Sequence, residues 1–564
     1  MSGNAIEAIY VLSPQQQGML LESLHSENTG RHVEQKVFSV DNKLDVAAYE
    51  MAWQHVMERH PILRTAFVWK AQKEPLQIVL SNASLPIEQH DLCKLPDTEQ
   101  QQTIKTYLKL DRQRGFDLSK APLMRLAVFW VTDKSCVLVW SHHHIVMDGW
   151  SIPIVSGEVA RFYTALYHKQ SIQLEAVRPY RDYIAWLTEQ DPSHAQHFWQ
   201  TALKGFRQPT AFPVDQDSLP LSQQAHYGYQ EVHLGADTSM LLLRLAIKHH
   251  VTINSIIQGV WALILSRYAL KSEVLFGTTV SGRPAELSGV NSMVGLFINT
   301  LPFRVTVPVD QLIWPWLQIL QTQHLELRQY EYCSTGQIHQ WSELPGLLPL
   351  YESVLVFENY PVNDQAVPLP SVAQQGMPES EFIGAQTNYP LTIIVTTANE
   401  LSICLVHDTH RLHRDSVIHI LSHFQLLLEQ LASYPDPSVA YLRSLIAEQQ
   451  IPKMRALHCQ LTHRSAEQLV APQSPIEQRL MVIWRELLGI EQLSIHDNFL
   501  ELGGHSLLAT QLLSRVREAF QVPILLQQLF EAPTIHQLAK IIETILLNEI
   551  DQLTETEAQQ LLES

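Results

Sequence analysis

A large mixed α/β domain in two lobes, followed by a small all-helical bundle, is the architecture this sequence predicts. Three observations lead there. The chain has 564 residues, and one hydrophobic core stops growing at about 250–300 residues, so two or three packing units are expected. Up to about residue 434, stretches of helical spacing alternate with strand-like ones, which predicts α/β layers. Beyond residue 475 only helical periodicity remains.

Each element has its local signal. Val46–Arg59 carries apolar residues at helical spacing and stops before Pro61. Residues 126–140 hold two apolar, β-rich runs, LAVFWV and CVLVW, joined by a Thr-Asp-Lys turn. EVLFGTTV (Glu273–Val280) also reads as a strand. Residues 435–475 contain PDP and APQSP among polar residues and read as a linker, within which LRSLIAEQQ can form a helix on the large domain. Pro475 stands where a first helical turn opens, and Ile476, Leu480, Ile483, Trp484 and Leu487 share one face. Helices are expected near 476–488, 506–520 and 534–547, a bundle about as small as one core can stabilise. The expected units are 1–440, with lobes of about 1–175 and 176–440, a linker at 441–474, the helical domain at 475–550 and a tail at 551–564.

Composition narrows the function classes. Apolar residues make up 46% and charged ones 17%, which argues against wholesale disorder. The net charge is −18 with no cluster of Lys and Arg, so no nucleic-acid partner is expected. Five cysteines (Cys93, Cys136, Cys333, Cys404, Cys459) lie far apart with no CxxC pair, so neither a disulfide framework nor a zinc site is expected. The amino terminus lacks a basic n-region and an apolar h-region. No stretch reaches the ~18 uninterrupted apolar residues of a membrane span. The expectation is a cytoplasmic protein without a membrane partner.

Two constellations carry chemistry. The first, Ser141-His142-His143-His144-Ile145-Val146-Met147-Asp148-Gly149-Trp150-Ser151, directly follows the strand-like CVLVW. A strand that ends in a polar, Gly-containing loop places side chains at a cleft, and histidine holds or moves a proton near neutral pH. Adjacent histidines on a strand point to opposite faces, which disfavours a tetrahedral metal site. A buried structural histidine is the alternative, and the His-His-x-x-x-Asp-Gly spacing weighs against it. The second constellation is Asp497-Asn498-Phe499-Leu500-Glu501-Leu502-Gly503-Gly504-His505-Ser506-Leu507-Leu508. A serine at a helix amino terminus is by default an N-cap. A nucleophile elbow needs glycine two residues on, where Leu508 stands, so Ser506 is not a thioesterase serine.

His143-His144-Ile145-Val146-Met147-Asp148-Gly149 resembles the HHxxxDG signature of nonribosomal peptide synthetase condensation domains, members of the chloramphenicol acetyltransferase-like superfamily. Other segments resemble that family's motifs in order: residues 12–20 (LSPQQQGML), 59–67 (RHPILRTAF), 180–183 (YRDY), 281–284 (SGRP) and 294–300 (VGLFINT). The second constellation resembles the carrier-protein signature D-x-F-F-x-L-G-G-H/D-S-L, departing from it only at Leu500. Together the two resemblances cover about residues 10–440 and 476–545.

The resemblance implies an α/β two-lobed pseudo-dimer with a tunnel between its lobes, plus a helical carrier. It implies that His144 lies beside the reacting amine, as general base or as an orienting and stabilising group. His143 and Gly149 complete the candidate catalytic set, His143 more as a packing or orienting residue and Gly149 by permitting close backbone approach. Asp148 is implied to be structural and paired with Arg283; His142 receives no role. Ser506 is implied to carry covalent phosphopantetheine, with Gly503, Gly504 and His505 beside it. The helix amino end favours the phosphate there.

An amide bond between a donor thioester on an upstream carrier and an acceptor amine is the implied product. Residues 13–20 and 142–150 look more like members accepting a D-configured donor. No adenylation domain fits in the linker between the two domains or after the second, so loading in trans is expected; a diffusible amine acceptor or an excised fragment is the alternative. The implied partners are a donor carrier, an adenylation domain, a phosphopantetheinyl transferase and a downstream synthetase domain or thioesterase. A non-catalytic recruitment module of the same fold is the rival function.

Overall fold

The structure, a computed structural model, describes the chain except residues 1–4, 26–29, 42, 70–73, 211–212, 215–226, 346–347, 359–388, 398–399, 435, 447–454, 457–469, 489–492, 500–501, 503–505 and 552–564. The first lobe contains β1 (Ile6–Val11), α1 (Pro14–His25), β2 (Val33–Val40), α2 (Val46–Arg59), β3 (Thr65–Val68) and β4 (Leu76–Leu80). It continues through β5 (Ile87–Asp91), α3 (Asp97–Arg114), β6 (Met124–Trp130), β7 (Cys136–His143), α4 (Ser151–Tyr167) and α5 (Tyr180–Thr188). The second holds α6 (Pro192–Ala202), β8 (Pro213–Val214), β9 (Tyr227–His233), α7 (Ala236–Lys248), α8 (Ile253–Tyr268), β10 (Glu273–Val280) and β11 (Asn299–Thr306). It ends with α9 (Ile313–Arg328), α10 (Thr335–Trp341), β12 (Ser353–Glu358), β13 (Leu391–Thr397), β14 (Leu401–Asp408), α11 (Arg414–Ser433) and α12 (Val439–Ser444). After β15 (Arg455–Ala456), which pairs with β8, come α13 (Pro475–Leu488), α14 (Ser506–Phe520), α15 (Leu526–Glu531) and α16 (Ile535–Asp551).

The first lobe has a four-stranded sheet in the order β2-β7-β6-β5 and a smaller one, β1-β4-β3. A six-stranded sheet, β11-β10-β12-β13-β14-β9, forms the second lobe. The β6–β7 pair is the expected hairpin, antiparallel from Met124↔His142 to Trp130↔Cys136. Helix α2 starts where Asp45 accepts the Ala48 N–H at 3.1 Å and stops before Pro61. α8 is buried nearly all round, as a helix apolar on every face must be.

Each lobe has its own core, and the change from one to the other falls between Ile184 and Ala195. Tyr180, Tyr183 and Ile184 therefore pack with the first lobe. Leu287, Val290, Met293, Val294 and Phe297, which follow β10 of the second lobe, also insert into the first lobe's core. That crossing segment reaches the histidine loop. Val439, Leu442 and Ile446, at the start of the expected linker, pack in the second core.

The carboxy-terminal domain closes on a third core around Trp484 and Phe499, whose rings meet edge-on at 5.2 Å. α13 opens with a capping box: Ser474 Oγ accepts the Glu477 N–H at 3.1 Å, and Glu477 Oε2 accepts the Ser474 N–H at 3.1 Å. The short α15 was not among the expected helices; one and a half turns are too few to show a period.

Candidate active site

The antiparallel β2–β7 register sets Val33 opposite His143 and Glu34 opposite His142. Side chains alternate along β7, so His142 and His143 face opposite ways. The strand ends at His143, and residues His144–Val146 form a 3₁₀ turn. Backbone bonds hold the junction: the His143 N–H donates to Leu123 O at 2.9 Å and the His144 N–H to His32 O at 2.8 Å.

The two motif histidines differ in what their nitrogens do. His143 Nδ1 accepts the Ile145 N–H at 3.2 Å, and its Nε2 lies 3.1 Å from Ser23 Oγ, whose own proton goes to Met19 O at 2.8 Å. The ring therefore carries its proton on Nε2 and uses both nitrogens. Burial pushes it well below the usual histidine range, aided by His32, His144 and His142, and so keeps it neutral. His144 Nδ1 lies 2.7 Å from Met147 O, which can only accept, so Nδ1 carries a proton and Nε2 is the nitrogen that accepts one when the ring is neutral. The His144 side chain keeps 15% of its surface exposed.

Asp148 is fully buried and takes up five donors. Its Oδ1 accepts the Ser151 N–H at 2.9 Å, the Ser151 hydroxyl at 2.8 Å and Arg283 Nη2 at 3.3 Å. Its Oδ2 accepts the Phe297 and Ile298 N–H groups at 3.0 and 3.2 Å. Arg283 also donates to Val290 O and Met293 O at 2.6 and 2.9 Å, with its guanidinium 4.1 Å from the centre of the Phe297 ring. A carboxylate so occupied joins the histidine loop to the crossing segment and has no lone pair to spare for proton transfer.

Other motif segments converge on the same loop. Gln16 donates to Ile145 O at 3.2 Å, and Tyr180 donates to Leu296 O at 2.6 Å while touching Ser13. Gly295 admits the Tyr180 ring, where a Cβ would come within 2.1 Å of it. Gly282, at φ +64°, lies against Phe297 O, where a Cβ would stand 1.7 Å away. Gly149 is half-buried in the turn into α4. The 59–67 segment lies apart from this convergence: Arg59 and His60 meet Glu158 at 3.0 and 2.9 Å, and Arg64 donates to Met57 O at 2.8 Å.

A cleft of about 480 Å³ opens beside β2 and ends at His143. Ser23, Arg31, Trp69, Arg114 and Phe116 help line it. His144 is not among its lining residues; it faces Glu34, whose Oε1 is 3.6 Å from its Nε2. Sequence reasoning missed Glu34 and Ser151. Ser151 stood within the quoted segment, but nothing marked its hydroxyl as an Asp148 partner. The only signal for Glu34 was charge inside an apolar strand, VEQKVF.

In the carboxy-terminal domain, Ser506 is the first residue of the fifteen-residue α14. Gly503, Gly504 and His505 lie outside the described residues. A serine hydroxyl opening a long helix fits a phosphodiester attachment, because the helix amino end favours negative charge. Among the described residues there is no group of three or more His, Cys, Asp or Glu placed to hold a metal, and no helix long and apolar enough to cross a membrane.

Comparison with known proteins extends these observations. The family model "Condensation domain" matches residues 6–450, and "Phosphopantetheine attachment site" matches residues 478–542. Linear gramicidin synthase subunits D and B of Brevibacillus parabrevis are 38% and 39% identical over 446 and 444 residues. The alignments cover 79% and 78% of this chain but 9% and 8% of those subunits, so the chain spans under a tenth of these relatives. Among solved structures, a four-domain nonribosomal peptide synthetase bound to AMP and glycine superposes with a TM-score of 0.66. It is 17% identical, covering 86% of this chain and 36% of that one. The first condensation domain of the calcium-dependent antibiotic synthetase gives a TM-score of 0.60 at 17% identity, covering 77% and 99%. At these identities the superpositions speak for the fold alone.

Proposed function

Because the chain belongs to the condensation-domain family of nonribosomal peptide synthetases, with a phosphopantetheine attachment domain behind it, we propose that it forms amide bonds. The donor is an acyl or peptidyl thioester on an upstream carrier. The acceptor is an amine tethered through phosphopantetheine to Ser506. Phosphopantetheine supplies the flexible thiol tether on which an acceptor is presented. The observation that carries the reading is His144, whose Nδ1–H is held by Met147 O, so that Nε2 is the nitrogen of the neutral ring that can take a proton.

The protein has little covalent work to do. A thioester is already activated, and a neutral amine is a good nucleophile. Holding both in one site supplies most of the acceleration as effective molarity. The amine nitrogen bonds to the thioester carbon, the C–S bond breaks, and the surplus N–H proton passes by way of His144 Nε2 to the departing sulfur. Asp148 and Arg283 fix the loop that carries His144. His143, neutral with both nitrogens engaged, orients that loop from the opposite face. Gly149 leaves the turn open to close approach by the substrate backbone.

Several finer assignments follow from this chemistry. Gly503 and Gly504, glycines of the same signature as His505, let a phosphopantetheinyl transferase reach Ser506. An adenylation domain that does not lie between residues 450 and 478, where the two family matches end and begin, loads the acceptor. A downstream synthetase domain or thioesterase takes the product. The donor ends in a D-residue; this rests on residues 13–20 and 142–150 resembling D-accepting members, and competing the two donor epimers tests it, faster L-transfer being the contrary result.

The function is tested by single-turnover amide formation on the acceptor-loaded chain. His144→Ala should slow it by about 10²–10⁴-fold, the usual contribution of a positioned acid–base group. A folded His144→Ala protein that condenses at the wild-type rate would exclude that role. A wild-type chain inert toward a broad panel of donor and acceptor thioesters would favour a recruitment module.

A further inference from the structure

Glu34 stands on β2 between two imidazoles. Its Oε2 is 3.4 Å from His142 Nε2 and its Oε1 is 3.6 Å from His144 Nε2. The residue is 9% exposed, and a buried carboxylate is costly unless a positive group answers it. The charged and titratable groups around the pair come from four directions. Lys36 lies further along β2, Glu358 ends β12 of the second lobe, His142 ends the same face of β7, and His143 stands behind His144. Behind His143 lies His32, 3.0 Å from Glu22.

Burial alone pushes the Glu34 carboxyl up, but His144, His142 and Lys36 outweigh it and hold it well below the usual carboxylate range. Burial pushes His142 down, and Glu34 opposes this. Burial also pushes Glu358 up, and Glu34 adds to this while Lys36 opposes it. Glu34 is thus the carboxylate that meets the free nitrogen of His144.

We propose that Glu34 is a positioning residue for His144, its carboxylate holding the imidazolium that forms when Nε2 takes the proton of the attacking amine. The inference rests on the condensation reading and deepens it. Each turnover makes one C–N bond, breaks one C–S bond and moves one proton from nitrogen to His144 Nε2 and on to the sulfur, with no other reactant. Nδ1–H stays on Met147 O throughout, so the new charge appears on a ring already facing Glu34. A fixed opposite charge at that place costs no reorganisation during the reaction.

The test uses the full chain with acceptor-loaded Ser506 and N-acetylcysteamine donor thioesters. The pair joined fastest by wild type is followed by single-turnover rate against pH. Without the carboxylate the imidazolium formed during transfer loses the charge that faces it. Glu34→Gln should lower the plateau about tenfold and move the acid limb down by about one pH unit. Glu34→Asp, which keeps the charge, should return most of both and serves if the glutamine variant folds poorly. The acceptor amine titrates alike in every variant, so a shift belongs to the ring. A slower Glu34→Gln with an unmoved limb, or a further loss on adding it to His144→Ala, would overturn the inference. If wild type makes no amide, or His144→Ala matches it, the condensation reading fails instead.

Discussion

His143 and His144 are neighbours in sequence and opposites in environment, and the difference has consequences in solution. His143 is buried, neutral and satisfied at both nitrogens. Its folded form resists protonation, so the stability it contributes is complete above the ordinary value of 6.5 and declines as pH falls below it. Replacing it by Gln should flatten the fall in melting temperature on acidification below pH 6.5, measured against wild type so that the other histidines cancel. An unchanged slope would mean that the His143 ring titrates freely. His144, partly exposed, should instead be replaceable by Ala at a stability cost of no more than about 1 kcal/mol. The signature spacing singled out this pair in the sequence; the two diverge because β7 ends at His143 and His144 opens a 3₁₀ turn. Which nitrogen each leaves free was not legible, because Ser23 and the Met147 carbonyl become partners only once the chain has folded.

At the scale of the element, the turn between β7 and α4 is held less by its own residues than by the segment crossing from the second lobe. Asp148 accepts from Phe297 and Ile298 as well as from Ser151 and Arg283. Asp148→Ala leaves a buried guanidinium and two backbone donors short of a partner, and should cost about 3–5 kcal/mol in denaturant unfolding of the large domain. A cost below 1 kcal/mol would show that the clamp is not structural. In the small domain, Glu477 closes the α13 capping box and lies 2.8 Å from His536. Burial pushes its carboxyl up, but His536 and the Gln473 and Ser474 N–H groups outweigh this and hold it below its ordinary value. Its contribution is therefore present above pH 4.5 and lost on further acidification. Glu477→Gln should remove about 0.5–2 kcal/mol at neutral pH and much of that acid sensitivity. Strongly periodic elements such as α2, α13 and the β6–β7 hairpin were legible within a few residues. The crossing segment 287–297 was not, since apolar residues in a loop do not say which core they enter.

For the molecule as a whole, the length required several cores, and the lobes and small domain each have one. The pairing of β2 with β7 sets Glu34 opposite His142, over a hundred positions away. That is why nothing in the sequence tied Glu34, a charge within VEQKVF, to the histidines. The central claim is that the large domain delivers an acyl group to an amine held on the small one. The most direct measurement is the intact mass of the chain, converted by a promiscuous phosphopantetheinyl transferase with aminoacyl-coenzyme A and then given a donor thioester. A gain of aminoacyl-phosphopantetheine in wild type but not in Ser506→Ala, followed by a gain of one donor acyl group that His144→Ala lacks, is the predicted result. An acceptor-loaded chain that gains no acyl mass from any donor, or gains it equally without His144, would contradict the account.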